Sequence, residues 1–171
     1  MTIRPLIASD AEAFQTLRLS ALLSAPTAFA SSHAEELPRT IDEIARRIDS
    51  DQHGRSFGAF DGVELVGMVH VARETRTKLA HKAWLGGVYV APESRHCGIG
   101  RRLVSAAMAF AFGNLGVRQI NLGVNSRNQP AIALYESLGF RTFGLERDFL
   151  CVDGVFYDEL HMTCSQADFC Q

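Results

Sequence analysis

The sequence predicts a mixed α/β (α+β) fold, in which a mostly antiparallel central sheet of about seven strands is flanked by about four helices. Two Asp-Gly pairs, Asp61-Gly62 and Asp153-Gly154, each separate two strand-like segments and are typical of tight hairpin turns. A helical stripe of apolar residues lies between the strand-like segments Lys82–Val90 and Gln119–Val124. Because a helix can carry the chain back across a sheet, these three elements predict one parallel β-α-β unit. The other predicted strands are Thr2–Leu6, Ser56–Phe60, Val63–Ala72, Arg141–Leu150 and Val155–Cys164.

Length and charge restrict the classes of function that the chain can have. With 171 residues it should form one domain, which we place at residues 1–165, followed by a short frayed tail at 166–171. A formal net charge of −2 gives no general attraction for nucleic acid or for an anionic membrane. The sequence shows no signal peptide and no apolar run of membrane-spanning length. We therefore expect a cytoplasmic protein with no nucleic-acid or membrane partner.

The cysteine and histidine patterns predict neither a metal site nor a disulfide framework. No C-x-x-C pair, zinc-ligand spacing or H-x-x-x-H pattern occurs in the sequence. We expect no bound metal, and free thiols in a reducing compartment. The cysteines are Cys97, Cys151, Cys164 and Cys170.

The N-terminal third of the chain predicts two helices and a loop between them. Ser9–Glu12 and Thr40–Glu43 are capping-box patterns, each of which is typical of a helix start. The first helix should end near Ser24, because a proline two residues later disfavours helical backbone just before it. Pro26–Pro38 is then expected to be an irregular polar loop, with Phe29 as its one buried residue.

The segment Val88–Leu103 has the features of a phosphate-binding turn. The strand end Val88–Val90 is stopped by Pro92, which has no N–H to donate to a sheet. Gly98 and Gly100 then precede a helix whose first N–H groups have no internal partner and carry partial positive charge. Without Cβ atoms, the glycines let a phosphate approach these N–H groups. The spacing matches neither a P-loop nor a dinucleotide-binding fingerprint.

Glycine and asparagine mark further positions around this turn. The pair Gly86-Gly87, inside a predicted strand, indicates a bulge or a place where a ligand comes close to the backbone. The helix after the turn should run to about Leu115, with Gly116 as its C-cap. Asn128 is expected to cap the last helix.

Two blocks of the sequence resemble the GCN5-related N-acetyltransferase (GNAT) superfamily. The first is R-x-x-G-x-G over Arg95–Gly100, preceded by a V-x-V strand end. The second, Asn121–Phe140, contains a strand ending in V-x-x-x-N and a helix with A-x-x-L-Y-x-x-x-G-F. The blocks lie in the family's order and at its usual separation. The resemblance implies the GNAT fold, with a splayed cleft for acetyl-coenzyme A (acetyl-CoA) between the parallel strands, and direct acetyl transfer to an amine.

The resemblance also implies roles for single residues. Tyr135 would protonate the departing coenzyme A thiolate and is the predicted catalytic residue, although helical spacing alone favours a core tyrosine. The backbone of Val88–Val90 would bind the pantetheine arm, and the backbone at Val88 would polarise the acetyl carbonyl. Cys97 is expected to offer its backbone N–H to phosphate rather than to act as a nucleophile. The residues expected to bind acetyl-CoA are Val88, Tyr89, Val90, Arg95, His96, Cys97, Gly98, Ile99, Gly100, Arg101, Asn128 and Tyr135.

The general base and the acceptor pocket are less well defined. Many family members carry a glutamate on the strand before the V-x-V end, where this sequence has Trp84-Leu85-Gly86-Gly87 and no carboxylate. The amine proton could instead pass to an ordered water chain or to a nearby side chain, none of which is favoured by spacing. The candidates are Glu35, Glu36, His81 and Glu159. The aromatic residues expected to line the acceptor pocket, unless they are simply core residues, are Phe29, Trp84 and Tyr157.

The resemblance therefore implies an N-acetyltransferase for the primary amine of a small molecule. Two alternatives remain open: acetylation of a protein N-terminus or lysine, and a non-catalytic acyl-CoA-binding sensor. The segments that line the acceptor side in this family, Pro26–Pro38 and Phe149–Gly154 here, are its variable parts, so the sequence does not identify the acceptor. The oligomeric state is also open, with a homodimer as one possibility.

Overall fold

Seven strands form one mixed sheet in the computed structural model, which describes residues 1–169 and their side chains except that of Ser50. The strands are β1 (Thr2–Pro5), β2 (Gly54–Asp61), β3 (Glu64–Arg73), β4 (Lys82–Val90), β5 (Gln119–Asn125), β6 (Arg141–Val152) and β7 (Val155–Ser165). They lie in the order β1-β2-β3-β4-β5-β7-β6, and only the β4–β5 pair is parallel. The predicted fold class is confirmed. The predicted free thiol Cys170 lies outside the described residues.

Six α-helices occur within residues 1–169, two more than the sequence predicts. They are α1 (Ala11–Ser24), α2 (His33–Glu36), α3 (Ile41–Ser50), α4 (Ile99–Gly113), α5 (Gln129–Glu136) and α6 (Gln166–Phe169). The unpredicted helices α2 and α6 have four residues each. No helix in this part of the chain is long and apolar enough to cross a lipid bilayer.

Helices cover both faces of the sheet. Leu103 of α4 lies against Gly67 of β3, where an added Cβ would be 2.9 Å from the leucine Cδ1. Neighbouring residues of a strand point to opposite faces, so Met68 points away from α4. Met68 lines a cavity together with Phe14 of α1 and Ile44 of α3. We call the side covered by α1 and α3 the front face, and the side covered by α4 the back face.

The two predicted capping boxes have different outcomes. Ser9–Glu12 does not form one, because Ser9 lies inside a short turn, Ala8–Asp10, and is not the N-cap of α1. This turn is held by the Asp10 carboxylate. The carboxylate accepts two hydrogen bonds from Arg4, at 2.7 and 2.8 Å, and one from the N–H of Ile7 at 2.9 Å. The second box, Thr40–Glu43, forms as predicted, with its hydroxyl and carboxylate each accepting a backbone N–H, at 3.2 and 2.8 Å.

The sequence predicts that the loop Pro26–Pro38 is irregular. This prediction is wrong, because the loop contains helix α2. A capping box starts this helix: the N–H of Ser32 donates to the Glu35 carboxylate at 2.7 Å, and the N–H of Glu35 donates to the Ser32 hydroxyl at 3.3 Å. Phe29 is buried, as predicted. The loop is therefore structured, and its first turn, Pro26–Ala28, lies against β5 and β6.

The tail prediction is wrong for residues 166–169, which form α6. The Ser165 hydroxyl donates to the Asp168 carboxylate at 2.6 Å and accepts from the N–H of Asp168 at 3.3 Å. The ring of Phe169 then lies 5.4 Å from that of Phe112 on α4. An aromatic contact thus orders a segment whose polar composition suggests fraying.

The β3–β4 pair contains the predicted bulge. The register shifts between Met68 and His70, whose partners on β4 are Tyr89 and Gly86. One residue of β3 therefore faces two residues of β4. Gly87 lies in the bulge with a φ of +63°, a conformation that glycine adopts with little cost.

Strands β4 and β5 separate soon after they pair. Only three residue pairs join them, and the last pair is Trp84 with Asn121. Beyond it, β4 continues to Val90 beside β3, and β5 continues to Asn125 beside β7. The sheet therefore opens between the two parallel strands, as the sequence predicts. We call this gap the β4–β5 opening.

Candidate active site

Helix α4 begins at Ile99, separated from the end of β4 by the eight residues 91–98, with backbone N–H groups that no side chain of the described chain caps. Its N-cap, Gly98, has a φ of +73°, and a Cβ added there would meet no atom within 4 Å. His96 also lies in the left-handed region, with a φ of +63°. The turn thus presents free N–H donors to open space, which suits the predicted binding of a phosphate anion.

The second glycine of the turn has a packing role that the sequence did not reveal. A Cβ on Gly100 would lie 3.3 Å from Cδ2 of Leu134 on α5. Arg101 reinforces this helix contact by donating a hydrogen bond to the carbonyl of Ser137 at 3.2 Å. Gly100 therefore allows α5 to approach the start of α4. This contact packs the second of the two sequence blocks, Asn121–Phe140, against the first, Arg95–Gly100.

Two predicted cofactor residues have side chains that are engaged within the chain. The Arg95 Nε donates to the carbonyl of Val90 at 2.9 Å, and its guanidinium lies 5.6 Å from the ring of Tyr89. The Tyr89 hydroxyl forms a 2.8 Å hydrogen bond with Ser24 of α1. The Arg95 side chain thus connects the turn to the end of β4. The Tyr89 side chain points to the front face, so only the backbone of Tyr89 is available to a ligand in the opening.

The remaining predicted cofactor residues differ in exposure. Ile99 is buried in the core, so only its backbone can face a ligand. His96 and Cys97 are exposed on the turn, and Val88 and Val90 are half-buried on β4 along the opening.

Two asparagines shape the far side of the opening. The side chain of Asn128 accepts the N–H of Ala131 at 3.2 Å, so it caps α5 as predicted. Asn125, at the end of β5, was not predicted to have a role. Its side chain accepts from the N–H of Arg127 at 2.9 Å and donates to the carbonyl of Thr27 at 3.1 Å. These bonds tie the end of β5 to the loop that follows α1.

Tyr135 lies on α5 and is only 6% exposed. Its ring meets that of Phe140 edge-on at a centroid distance of 5.9 Å. Burial raises the pKa of the Tyr135 phenol, so its proton is retained at neutral pH. The hydroxyl makes no hydrogen bond with any described residue. The tyrosine therefore combines the packing position that helical spacing favours with a free proton donor.

On the front face, Glu159 of β7 reaches over β5. Glu159 pairs with Asn125, and its carboxylate occupies the space that a Cβ on Gly123 would take. The Glu159 side chain is 16% exposed. Burial raises its pKa above the usual glutamate value; His161 opposes this shift, while Glu146 adds to it. A carboxylate with a raised pKa is a suitable acceptor for a proton near neutral pH.

The neighbours of Glu159 form a polar cluster with one exposed aromatic ring. The Nε2 of His161 lies 3.0 Å from a carboxylate oxygen of Glu146, and its Nδ1 lies 4.0 Å from one of Glu159. The Trp84 ring, 41% exposed, meets the imidazole edge-on at 6.4 Å. We call Trp84, Glu146, Glu159 and His161 the Glu159 cluster. It places an imidazole between an inner and an outer carboxylate.

A cavity of about 410 Å³ lies on the front face, between α1, α3 and the strands β2 and β3. It reaches Gly87, the bulge residue of β4, and therefore meets the edge of the β4–β5 opening. Its apolar lining residues are Phe14, Ile44, Ile48, Met68 and Val69, and its polar ones are Gln15, Arg18, Glu36, Arg47, Asp51, Ser56 and His70.

His70 is a half-buried histidine in this cavity, and both of its ring nitrogens face polar partners. Nδ1 forms a 3.0 Å hydrogen bond with the Ser56 hydroxyl, and Nε2 lies 3.5 Å from the Asp51 carboxylate. Burial lowers the pKa of His70, Asp51 opposes this shift and Arg47 adds to it. The ring is therefore biased toward its neutral form.

The predicted acceptor residues do not form a single wall. Phe29 packs in the core between the Arg18 guanidinium, at 4.6 Å, and the Tyr89 ring, at 6.4 Å. Trp84 belongs to the Glu159 cluster, and Tyr157 lies further along β7 with the guanidinium of Arg127 4.9 Å from its ring. Phe29 thus contacts the cavity residue Arg18, whereas Trp84 lies at the paired end of the β4–β5 opening.

The four candidate bases differ in their contacts and positions. The Glu35 carboxylate is held by Ser32 at the start of α2, and Glu36 pairs with Arg39 at 2.7 Å. His81 is exposed in the connection before β4. Only Glu159 lies on the front face beside the opening with a carboxylate that makes no hydrogen bond to a described residue.

Arg18, His70 and Gly123 were not identified from the sequence. Strand alternation places His70 on the same face as Met68, and this alternation is a sequence signal that could have identified His70 as a cavity residue. Arg18 follows a helical apolar stripe and gives no local sign of its cavity position. Gly123 is one glycine in a strand, and its importance depends on a side chain from another strand.

Comparison with known families and proteins adds to this geometry. Residues 18–140 match the family described as "Acetyltransferase (GNAT) family". The N-alpha-acetyltransferase RimI of Mycobacterium tuberculosis is 37% identical over 103 residues, which cover 60% of this chain and 61% of RimI. The spermidine N(1)-acetyltransferase of Vibrio cholerae is 25% identical over 130 residues, covering 75% of this chain and 73% of that protein. The matched segment thus spans less than two thirds of RimI.

A solved structure supports the fold over nearly the whole chain. The GNAT-family acetyltransferase of Streptococcus pneumoniae superposes with a TM-score of 0.83 at 24% identity. The superposition covers 96% of this chain and 98% of that one. At this identity the likeness establishes the fold, and the substrate must be inferred from the site itself.

Proposed function

Because the chain belongs to the acetyltransferase (GNAT) family, we propose that it transfers the acetyl group of acetyl-CoA directly to the primary amine of a small molecule. The observation that carries this proposal is the β4–β5 opening, which has the free N-terminus of α4 at one side and the Glu159 carboxylate at the other. These three features supply an anion site, a slot lined by unpaired backbone and a proton acceptor.

The residues present fit acetyl-CoA. The free N–H groups at the start of α4, around Gly98, would hold the pyrophosphate, and the unpaired edge of β4 at Val88–Val90 would hold the pantetheine arm. Asn128 and Tyr135 lie on α5 across the opening. When bound there, acetyl-CoA supplies an activated acetyl thioester.

Glu159 is the proposed general base. The amine must lose a proton to attack the acetyl carbon, and the Glu159 carboxylate has no hydrogen-bond donor among the described residues. His70 is less suited, because Ser56 and Asp51 already engage its two ring nitrogens. His161 lies between Glu159 and Glu146, so it can pass the proton outward to the more exposed Glu146.

Tyr135 is the proposed general acid. The new N–C bond forms as the C–S bond breaks, one amine proton goes to Glu159, and the phenol proton of Tyr135 goes to the sulfur. Burial keeps this phenol protonated, and no described residue competes for its hydroxyl. Holding the two reactants together beside these groups would account for most of the rate enhancement.

The cavity favours a small acceptor over a protein chain. The cavity of about 410 Å³ reaches the bulge at Gly87, and its volume lies in the size range of small-ligand pockets. The similarity to RimI, an N-alpha-acetyltransferase by name, keeps peptide N-termini as the second candidate acceptor.

The test is an acceptor panel with matched binding data. The purified protein is incubated with acetyl-CoA and with amino acids, polyamines, or peptides with free N-termini, while release of coenzyme A thiol is followed. Acetyl-CoA affinity is measured separately by calorimetry. We expect binding and amine-dependent thiol release with a small primary amine. Binding without turnover of any amine would support the sensor alternative, and absence of binding would contradict the proposal.

A further inference from the structure

Arg18 carries a largely buried guanidinium that makes no hydrogen bond with a described residue. Its side chain is 15% exposed, on α1, and lines the front-face cavity. Its two contacts are an ion pair with Glu36 at 3.9 Å and the face of the Phe29 ring at 4.6 Å. A guanidinium has five N–H donors, yet none forms a hydrogen bond with a described residue. Burying such a group without hydrogen bonds is costly.

The carboxylate nearest to Arg18, that of Glu36, is paired more closely with another arginine, Arg39. Glu36 accepts from Arg39 at 2.7 Å, a much closer contact than its 3.9 Å approach to Arg18. Burial lowers the pKa of Arg18, Glu36 opposes this shift, and Arg47 and Arg39 add to it. Two guanidinium groups and only one carboxylate among the described residues thus act on Arg18, which leaves a surplus of positive charge at this end of the cavity.

The second carboxylate of the cavity, that of Asp51, lies beside His70 of β3. Asp51 accepts the N–H of His53 at 3.1 Å and lies 3.5 Å from Nε2 of His70. Its charge is thus partly satisfied by local donors, next to a ring that itself bonds to Ser56. Between this pair and Arg18, the cavity is lined by apolar side chains, including Phe14 and Met68.

We infer that the acceptor is an amino acid or a similar small amino carboxylate, whose carboxylate binds Arg18 while its amine reaches toward Gly87. This inference rests on the proposed function. Arg18 supplies the paired donors that a carboxylate accepts, and the apolar lining suits a hydrocarbon side chain. The cavity ends at the β4–β5 opening, so an acceptor anchored at Arg18 directs its other end toward the thioester. A polyamine would instead place an ammonium group against the surplus positive charge.

The test compares amino acids with their carboxamides, which keep the amine and the side chain but lose the anion. Rates are measured by thiol release at saturating acetyl-CoA, with spermidine and a short peptide as further acceptors. We expect kcat/KM for the preferred amino acid to exceed that for its carboxamide by about ten- to a hundredfold, the range for hydrogen bonds to a charged group. Equal rates for acid and amide, or a preference for spermidine or the peptide, would overturn the inference while leaving acetyl transfer intact.

Arg18→Gln gives the second arm of the test, with Arg141→Gln as a control. Arg141 is exposed and lies 3.9 Å from Asp168, away from the cavity. We expect Arg18→Gln to raise the KM of the amino acid by about tenfold or more and to remove the preference over its carboxamide. Acetyl-CoA affinity should stay unchanged in both variants. An unchanged amino-acid KM in folded Arg18→Gln would contradict the inference. If that variant misfolds, the comparison of acid with amide in the natural protein decides alone.

Discussion

The carboxylate of Glu159 lies over the α-carbon of Gly123, in the space that a side chain at position 123 would fill. A glycine on β5 thus lets a carboxylate from β7 reach the edge of the β4–β5 opening. The strand that precedes the phosphate turn has no carboxylate of its own, since it reads Trp84-Leu85-Gly86-Gly87. Packing between strands that are distant in sequence therefore provides the proposed base, which the local sequence lacks.

Glu159→Gln should lower kcat by about a hundred- to ten-thousandfold, because the amide keeps the shape of the side chain but cannot accept the amine proton. Acetyl-CoA affinity, measured by calorimetry, should remain close to that of the natural protein. A kcat within a few-fold of normal, measured where chemistry limits the rate, would exclude Glu159 as the base.

Gly123→Ala should reproduce much of this loss without altering any ionisable group. The added methyl group must displace the Glu159 carboxylate, which fills that position. Gly113→Ala is the matched control, because a Cβ there would meet no atom within 4 Å. Equal activity in the two alanine variants would show that the location of the Glu159 carboxylate does not matter.

The pH profile should report the environment of Glu159. The base must be deprotonated, so kcat/KM should fall as pH decreases through the pKa of Glu159. Burial raises that pKa, so the loss should begin at higher pH than for an ordinary glutamate near 4.3. Glu159→Gln should lose this acidic limb. A limb that persists in the variant would have to be assigned to another group, and His70 would be examined next.

Tyr135→Phe should reduce kcat by about ten- to a thousandfold, up to the usual range for loss of a general acid. The hydroxyl bonds to no described residue, so the melting temperature should hardly change. Acetyl-CoA should bind normally, because its proposed contacts are mainly to backbone groups. If kcat is unaffected under chemistry-limited conditions, Tyr135 is a packing residue against Phe140.

Gly98→Glu should abolish acetyl-CoA binding, because it puts a carboxylate in front of the free N–H groups of α4. Gly98→Ala controls for the strain of a side chain at a φ of +73° and should bind far better. Near-normal affinity of Gly98→Glu, measured by calorimetry, would rule out the phosphate site. Gly100→Glu is a poorer test, because position 100 also contacts Leu134.

The fold was predictable where the signals were local. The Asp153-Gly154 turn, the Gly86-Gly87 bulge and the strand–helix–strand order all depend on residues close in sequence, and each is present in the structure. The first hairpin also forms, but its two-residue turn is Gly62-Val63 rather than Asp61-Gly62, because Asp61 still pairs with Glu64. The capping box at Ser9–Glu12 failed for a different reason. A turn at Ala8–Asp10 precedes α1, so Ser9 is not at the N-cap, and Arg4 on the preceding strand holds this turn through the Asp10 carboxylate.

The candidate site divides in the same way. The predicted phosphate turn is contiguous in sequence and consists largely of backbone groups, so glycine positions are enough to predict it. On the proposed acceptor side, Arg18 and His70 line the front-face cavity and Glu159 lies beside the β4–β5 opening. These residues come from a helix and two strands far apart in the chain. Their roles depend on which residues the fold places beside them, such as Gly123 beneath Glu159. No spacing in the sequence carries that information.

The most direct measurement of the central claim follows the acetyl group itself. Acetyl-CoA labelled with carbon-13 in the acetyl carbonyl is incubated with the protein and the best amine of the panel, and the products are identified by NMR and mass spectrometry. We expect the label to appear in an amide of the amine, in an amount equal to the coenzyme A thiol released. Label recovered as free acetate, or retained in acetyl-CoA although the protein binds it, would contradict the account.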